Sequence, residues 1–140
     1  MEGVAQSLGD IGSHAGNASY VINLVHGTWA KKAPWVRPRS ALSRALREGL
    51  SEETRIFPFV WSGKNTNKAR RLASEQLLQK LTLLVRKYPN ARHYIISHSH
   101  AGNVILRALA PRLGPGVVPR GECIRLDAEI VARVRGPTTA

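Results

Sequence analysis

The run His93-Tyr94-Ile95-Ile96-Ser97-His98-Ser99-His100-Ala101-Gly102 decides the fold. Residues 93–97 are β-branched and apolar enough to read as a strand. Residues 98–100 are polar and read as a turn. From Ala101 to Ala110, Val104, Ile105, Ala108 and Leu109 recur at helical spacing. A strand that passes into a helix within three residues is the βα step of an α/β protein. Pro111 and Gly114-Pro115-Gly116 are expected to end the helix.

The same step occurs twice upstream. Tyr20-Val-Ile-Asn-Leu-Val25 is a continuous apolar run that stops at His26-Gly27, as a strand buried on both faces would. Residues 27–39 read as a loop. Ser40 then caps a helix predicted over 41–50, with Leu42, Ala45, Leu46 and Leu50 on one side. Arg55-Ile-Phe-Pro-Phe-Val-Trp61 reads as a second strand, and Pro58 inside it argues for a sheet edge or an irregular strand. Asn65 or Thr66 caps the strongest predicted helix, Asn67 to Lys87, which Pro89-Asn90 ends. Strand, helix, strand, helix, strand, helix implies right-handed crossovers and a parallel sheet with helices on both faces.

The chain of 140 residues is one domain's length, and 43% of it is apolar. A chain of this size buries roughly two-thirds of its unfolded surface. No apolar run approaches a membrane span, and Met1-Glu2-Gly3 does not open a secretory signal. With Cys123 as the one cysteine, no intramolecular disulfide and no multi-cysteine metal site is expected. The expected setting is reduced and cytoplasmic.

The net charge is +12, and residues 31–71 hold +8 of it. Such a surface attracts anions over a distance. One reading is therefore a basic nucleic-acid-binding module. No helix-turn-helix, zinc-finger or RNP-like signature accompanies the charge, and aromatic residues are only 6%, so no specific nucleic-acid partner is expected.

Ser97-His98-Ser99-His100-Ala101 has the form of a loosened G-x-S-x-G nucleophile elbow. A strand that turns sharply into a helix presses the residues two before and two after the serine against neighbouring backbone. Small side chains are required there, and Ser97 and Ala101 are small. The plain alternative is that Ser99 caps the helix. His26-Gly27-Thr28-Trp29 ends the first strand, and the N–H of Thr28 or Trp29 would face a developing oxyanion together with that of His100. Trp61-Ser62-Gly63-Lys64-Asn65-Thr66 reads as a strand exit followed by a helix cap.

Together the three segments resemble the α/β-hydrolase family, and most closely bacterial lipase- or esterase-like members. The resemblance spans about residues 19–110. It implies that the strands at 20–25, 55–61 and 93–97 are the family's third, fourth and fifth. It also implies that Ser99 is the nucleophile and that the backbone N–H groups of Thr28 and His100 form the oxyanion hole. Family members cleave carboxylic esters or related acyl bonds without a cofactor, so the implied partner is a small-molecule ester or acyl substrate.

The chain departs from the family after the elbow, where an acid and then a histidine should follow. The only later histidine is His100, and the later acids are Glu122, Asp127 and Glu129. Asp127 follows Arg125-Leu126 and is the best acid candidate. The resulting expectation is a flexible lead-in (1–18), a partial hydrolase core (19–110) and an Arg-, Gly- and Pro-rich tail (111–140) without a placed element. Such a chain is expected to be a truncated hydrolase, weakly active or inactive, or a non-catalytic remnant. Its incomplete sheet would favour self-association.

Overall fold

Tyr20–Val25 forms the central strand, β1, because five of its six side chains are buried and it is covered on both faces. A computed structural model describes residues 17–98, 101–113, 123–126 and 128–136. The remaining elements are α1 (Ala41–Gly49), β2 (Thr54–Phe59), α2 (Asn67–Lys87), β3 (Arg92–Ser97), α3 (Ala101–Leu113), β4 (Cys123–Leu126) and α4 (Ala128–Arg135). A short 3-10 turn, Pro34–Val36, lies in the loop between β1 and α1.

The strand order is β2-β1-β3-β4. β1 pairs in parallel with β2, Val25 opposite Phe59, and with β3, Val25 opposite Ser97. β4 runs antiparallel to β3, with Ile95 opposite Ile124. The sheet is therefore mixed, which corrects the expectation of a purely parallel one. The α/β arrangement stands.

Strand alternation divides the core between two faces. Ile22, Leu24, Ile56, Tyr94 and Ile96 face the 3-10 turn and α1, where Val36, Leu42 and Leu46 meet them. Val25, Phe59 and Ile95 face α2, α3 and α4, where Leu77, Leu81, Val85, Val104, Ile105, Leu109, Val131 and Val134 close the larger core. The α2 stripe at Ala73, Leu77, Leu81, Leu84 and Val85 is the helical spacing that the sequence shows. Ser40 and Thr66 cap α1 and α2, accepting from the Ser43 and Ala69 N–H groups at 3.1 Å each.

Residues 123–135, where the sequence shows no clear period, hold β4 and α4, and both pack on the larger core. α3 runs three residues past the stop expected at Pro111. A proline in the last turn removes at most one helical hydrogen bond, so it does not force the helix to end there.

Pro58 lies on β2, which among the described residues has a neighbour on one side only. A residue's N and C=O point to the same side of a strand, so a proline fits where its missing N–H faces the open edge. The Pro58 carbonyl is taken by the buried Lys80 ammonium at 2.8 Å. Lys80 lies over the Phe57 and Phe59 rings at 5.7 and 5.9 Å from their centroids. A buried lysine at a sheet edge opposes strand addition by a second chain. No helix among the described residues is long and apolar enough to cross a membrane.

Candidate functional site

β1 is the first strand of the sheet and lies inside it. The chain leaves β1 for β2 on one side and returns past it to β3 on the other. The helix after β1 packs on one face and the helix after β3 on the other. Neighbouring parallel strands whose helices diverge in this way open a crevice at their carboxyl ends, where α/β proteins bind ligands. Here the crevice lies beyond Val25 and Ser97, which are direct partners in the ladder.

On the β1 side the first residue past the strand is His26, which is fully buried. Its ring stacks on Trp61, with centroids 5.5 Å apart and planes 9° apart. The Trp61 backbone N–H donates to His26 Nε2 at 3.0 Å, and the Trp61 indole N–H donates to the His26 carbonyl at 2.8 Å. Since Nε2 accepts, the ring proton sits on Nδ1, which lies 2.9 Å from the Gly27 carbonyl and donates to it. Burial holds the His26 pKa below its ordinary value, and the charge of Lys31 acts in the same direction. His26 is thus a neutral ring with both nitrogens engaged. It clamps two strand exits together and has no lone pair left to take a proton.

The clamp continues one turn outward. The Trp29 N–H donates to the Gly63 carbonyl at 2.8 Å. Trp29 has φ +57°, and it is the only residue other than glycine with positive φ among the described residues. That conformation costs about 1–2 kcal/mol for a side chain with Cβ. Gly63 has φ +71°, and a Cβ on it would lie 3.2 Å from Trp29 N and 3.5 Å from His26 Cε1. Trp61-Ser62-Gly63, read from sequence only as a strand exit, is therefore the surface against which the His26–Trp29 loop is moulded. A Gly two residues past a Trp that follows a strand, beside a His-Gly at the parallel neighbour's end, is the signal that points to it.

Trp29 spends its N–H on Gly63 and so offers none to a ligand. The Thr28 N–H has no partner among the described residues, and the Thr28 hydroxyl is buried without one. Of the two oxyanion candidates on this loop, Thr28 remains.

On the β3 side, Ser97 is buried and His98 is exposed. The Ala101 N–H, at the start of α3, donates to the His98 carbonyl at 3.3 Å. The candidates Ser99, His100 and Asp127 lie outside the described residues. His93, by contrast, sits at the far end of the sheet opposite Val21, where its Nε2 lies 2.9 Å from the Tyr88 carbonyl. It belongs to the amino edge and not to the crevice. No group of three His, Cys, Asp or Glu that could hold a metal ion occurs among the described residues.

The crevice rim is basic. Lys31, Lys32, Arg37 and Arg39 follow β1, and Lys64, Lys68, Arg70 and Arg71 follow β2, with no acid in residues 27–47 or 60–74. Glu48 lies in the last turn of α1, Glu52 and Glu53 lie between α1 and the start of β2 at the opposite edge, where Glu53 accepts from the Ser19 hydroxyl at 3.0 Å, and Glu75 lies on α2.

The chain matches no protein-family model, no curated protein and no solved structure.

Proposed function

We propose that this four-stranded unit is the N-terminal and nucleophile portion of an α/β-hydrolase, acting on a carboxylic ester or related acyl group through Ser99. The observation that supports this reading is the pairing of Val25 with Ser97 at the point where the following helices diverge. Strands paired in this way lie about 4.8 Å apart. The Thr28 loop and the segment that leads to Ser99 therefore leave from adjacent strand ends.

In the proposed reaction the Ser99 oxygen bonds to the acyl carbon and the carbonyl electron pair moves onto oxygen. The Thr28 and His100 N–H groups stabilise that oxyanion. Collapse re-forms the carbonyl and expels the alkoxide, which takes a proton from water. A second water then frees the acyl group from the serine.

The serine proton needs an acceptor. His26 has no free nitrogen, and His93 lies at the other edge. The proton therefore passes to water, to the exposed His98 or to a group outside the described residues. A serine site lacking a triad member retains about 10³–10⁴-fold acceleration over water. Slow turnover follows. The setting we propose is cytoplasmic, where a lone thiol such as Cys123 stays reduced.

The test is hydrolysis of a short p-nitrophenyl ester by the folded chain and by Ser99→Ala. Slow release that the variant loses supports the reading. Release equal in both would count against it.

A further inference from the structure

We infer that the crevice takes an acyl ester that carries a negative charge close to the group being cleaved. This rests on the hydrolase reading for the word ester, while the preference for an anion stands on the charge layout.

Three features of the fold converge. First, the Trp29 to Gly63 hydrogen bond joins the two loops, so Lys31 and Lys32 from one and Lys64 from the other all lie within three residues of that contact. All three side chains are exposed. The same loops contain no carboxylate to neutralise them.

Second, the α2 start carries Lys68, Arg70 and Arg71 and no acid. A helix N-terminus is the positive end of its dipole and disfavours cations. Basic residues placed there oppose local helix stability and add to the positive field of the rim. Arg70 is held in position, donating to Asn65 Oδ1 at 2.7 Å and Asn67 Oδ1 at 3.0 Å.

Third, Trp29 is 81% exposed on a backbone that Gly63 holds in the left-handed region. An exposed indole on a fixed support offers an apolar surface beside the cations. An anionic head joined to an apolar acyl chain matches both. The field of these uncompensated loop cations draws such a molecule toward the crevice.

Trp fluorescence of the full-length chain is titrated with monomeric dihexanoyl phosphatidylglycerol and with monomeric dihexanoyl phosphatidylcholine. The two share acyl chains and differ in net charge. The anionic monomer should bind about tenfold tighter, and raising salt from roughly 0.05 M to 0.5 M should remove most of the difference. The double variant Lys31→Glu and Lys64→Glu, both positions being exposed, should lose the preference while its circular dichroism stays unchanged. Ser99→Ala should keep it.

Equal affinity for the two monomers, or a preference that survives the double variant, would overturn the inference. Binding to phosphatidylglycerol vesicles without binding to the monomer would also overturn it, because the rim would then be a membrane contact. So would binding to duplex DNA alone. A retained preference with no ester hydrolysis would remove the hydrolase reading and leave the anion site standing.

Discussion

His26 and Trp61 hold each other through both backbone and side chain: ring on ring at 5.5 Å, main-chain N–H to Nε2, and indole N–H to the His26 carbonyl. Thirty-five residues separate them in sequence, and they lie one and two residues past the ends of β1 and β2. Trp61→Phe keeps a ring to stack but leaves the buried His26 carbonyl without its donor. The expected loss is about 1–3 kcal/mol, against about 3–5 kcal/mol for Trp61→Ala. Urea midpoints of the two variants rank these effects, and a Trp61→Phe midpoint equal to that of the wild type would remove the indole N–H from the account.

The same clamp makes stability sensitive to acid. The His26 pKa is lowered in the folded chain, so below its ordinary value of 6.5 the unfolded chain binds the extra proton. Stability attributable to His26 is complete above that value and declines as pH falls beneath it. Urea melts at about pH 7.5 and about pH 5.5 should show the decline, and His26→Gln should reduce it.

Gly63→Ala places a Cβ at φ +71° and 3.2 Å from Trp29 N. The backbone conformation alone costs about 1–2 kcal/mol, and relief of the contact displaces the Trp29 loop. Gly49→Ala is the matched control, since nothing lies within 4 Å of its Cβ and Ala is favoured over Gly in helices by about 0.5–1 kcal/mol. Thermal melts should move in opposite directions for the two variants, and parallel shifts would contradict the role given to Gly63.

The periodicity of β1, α2 and β3 was legible because each buries a long apolar run or stripe against the sheet. β4 was not, because a four-residue strand with exposed Arg125 between Ile124 and Leu126 carries too little pattern to stand out in an Arg-rich tail. Its antiparallel direction is one that no residue type announces. The candidate site was half legible. His26-Gly27 announces itself by a glycine at a strand end, while Ser99 and His100 of the Ser97–Ala101 turn lie outside the described residues. The clamp by Trp61 and Gly63 does not announce itself, since it works through backbone donors and a positive φ.

Asn23 sits fully buried in β1 between Val21 and Val25, and neither side-chain atom has a partner among the described residues. A buried amide without partners costs about 1–3 kcal/mol. Asn23→Leu, nearly the same shape, should raise the urea midpoint. A fall would mean the amide is satisfied in solution.

Lys80 gives the opposite sign of pH dependence to a paired lysine. Burial lowers its pKa to about 8 from 10.5. Between those values the unfolded chain holds a proton that the folded chain releases, so stability rises with pH through that window and is level below it. Lys80→Met removes the rise. It should also stabilise the chain near pH 7 by about 1–3 kcal/mol, as apolar replacement of a buried charge often does. Urea melts at about pH 7 and about pH 9.5 on both proteins decide it. A wild-type curve that stays level across the window would contradict the burial of this amine.

The most direct test of the serine-nucleophile reading is labelling by a fluorophosphonate probe. The wild-type chain and Ser99→Ala are compared, each first shown by circular dichroism to be folded. The expected result is slow labelling of the wild type, approaching one probe per chain, and none of Ser99→Ala. Folded wild type that takes no label, or a variant labelled as fast as the wild type, would contradict the assignment of Ser99 as an acyl-accepting nucleophile.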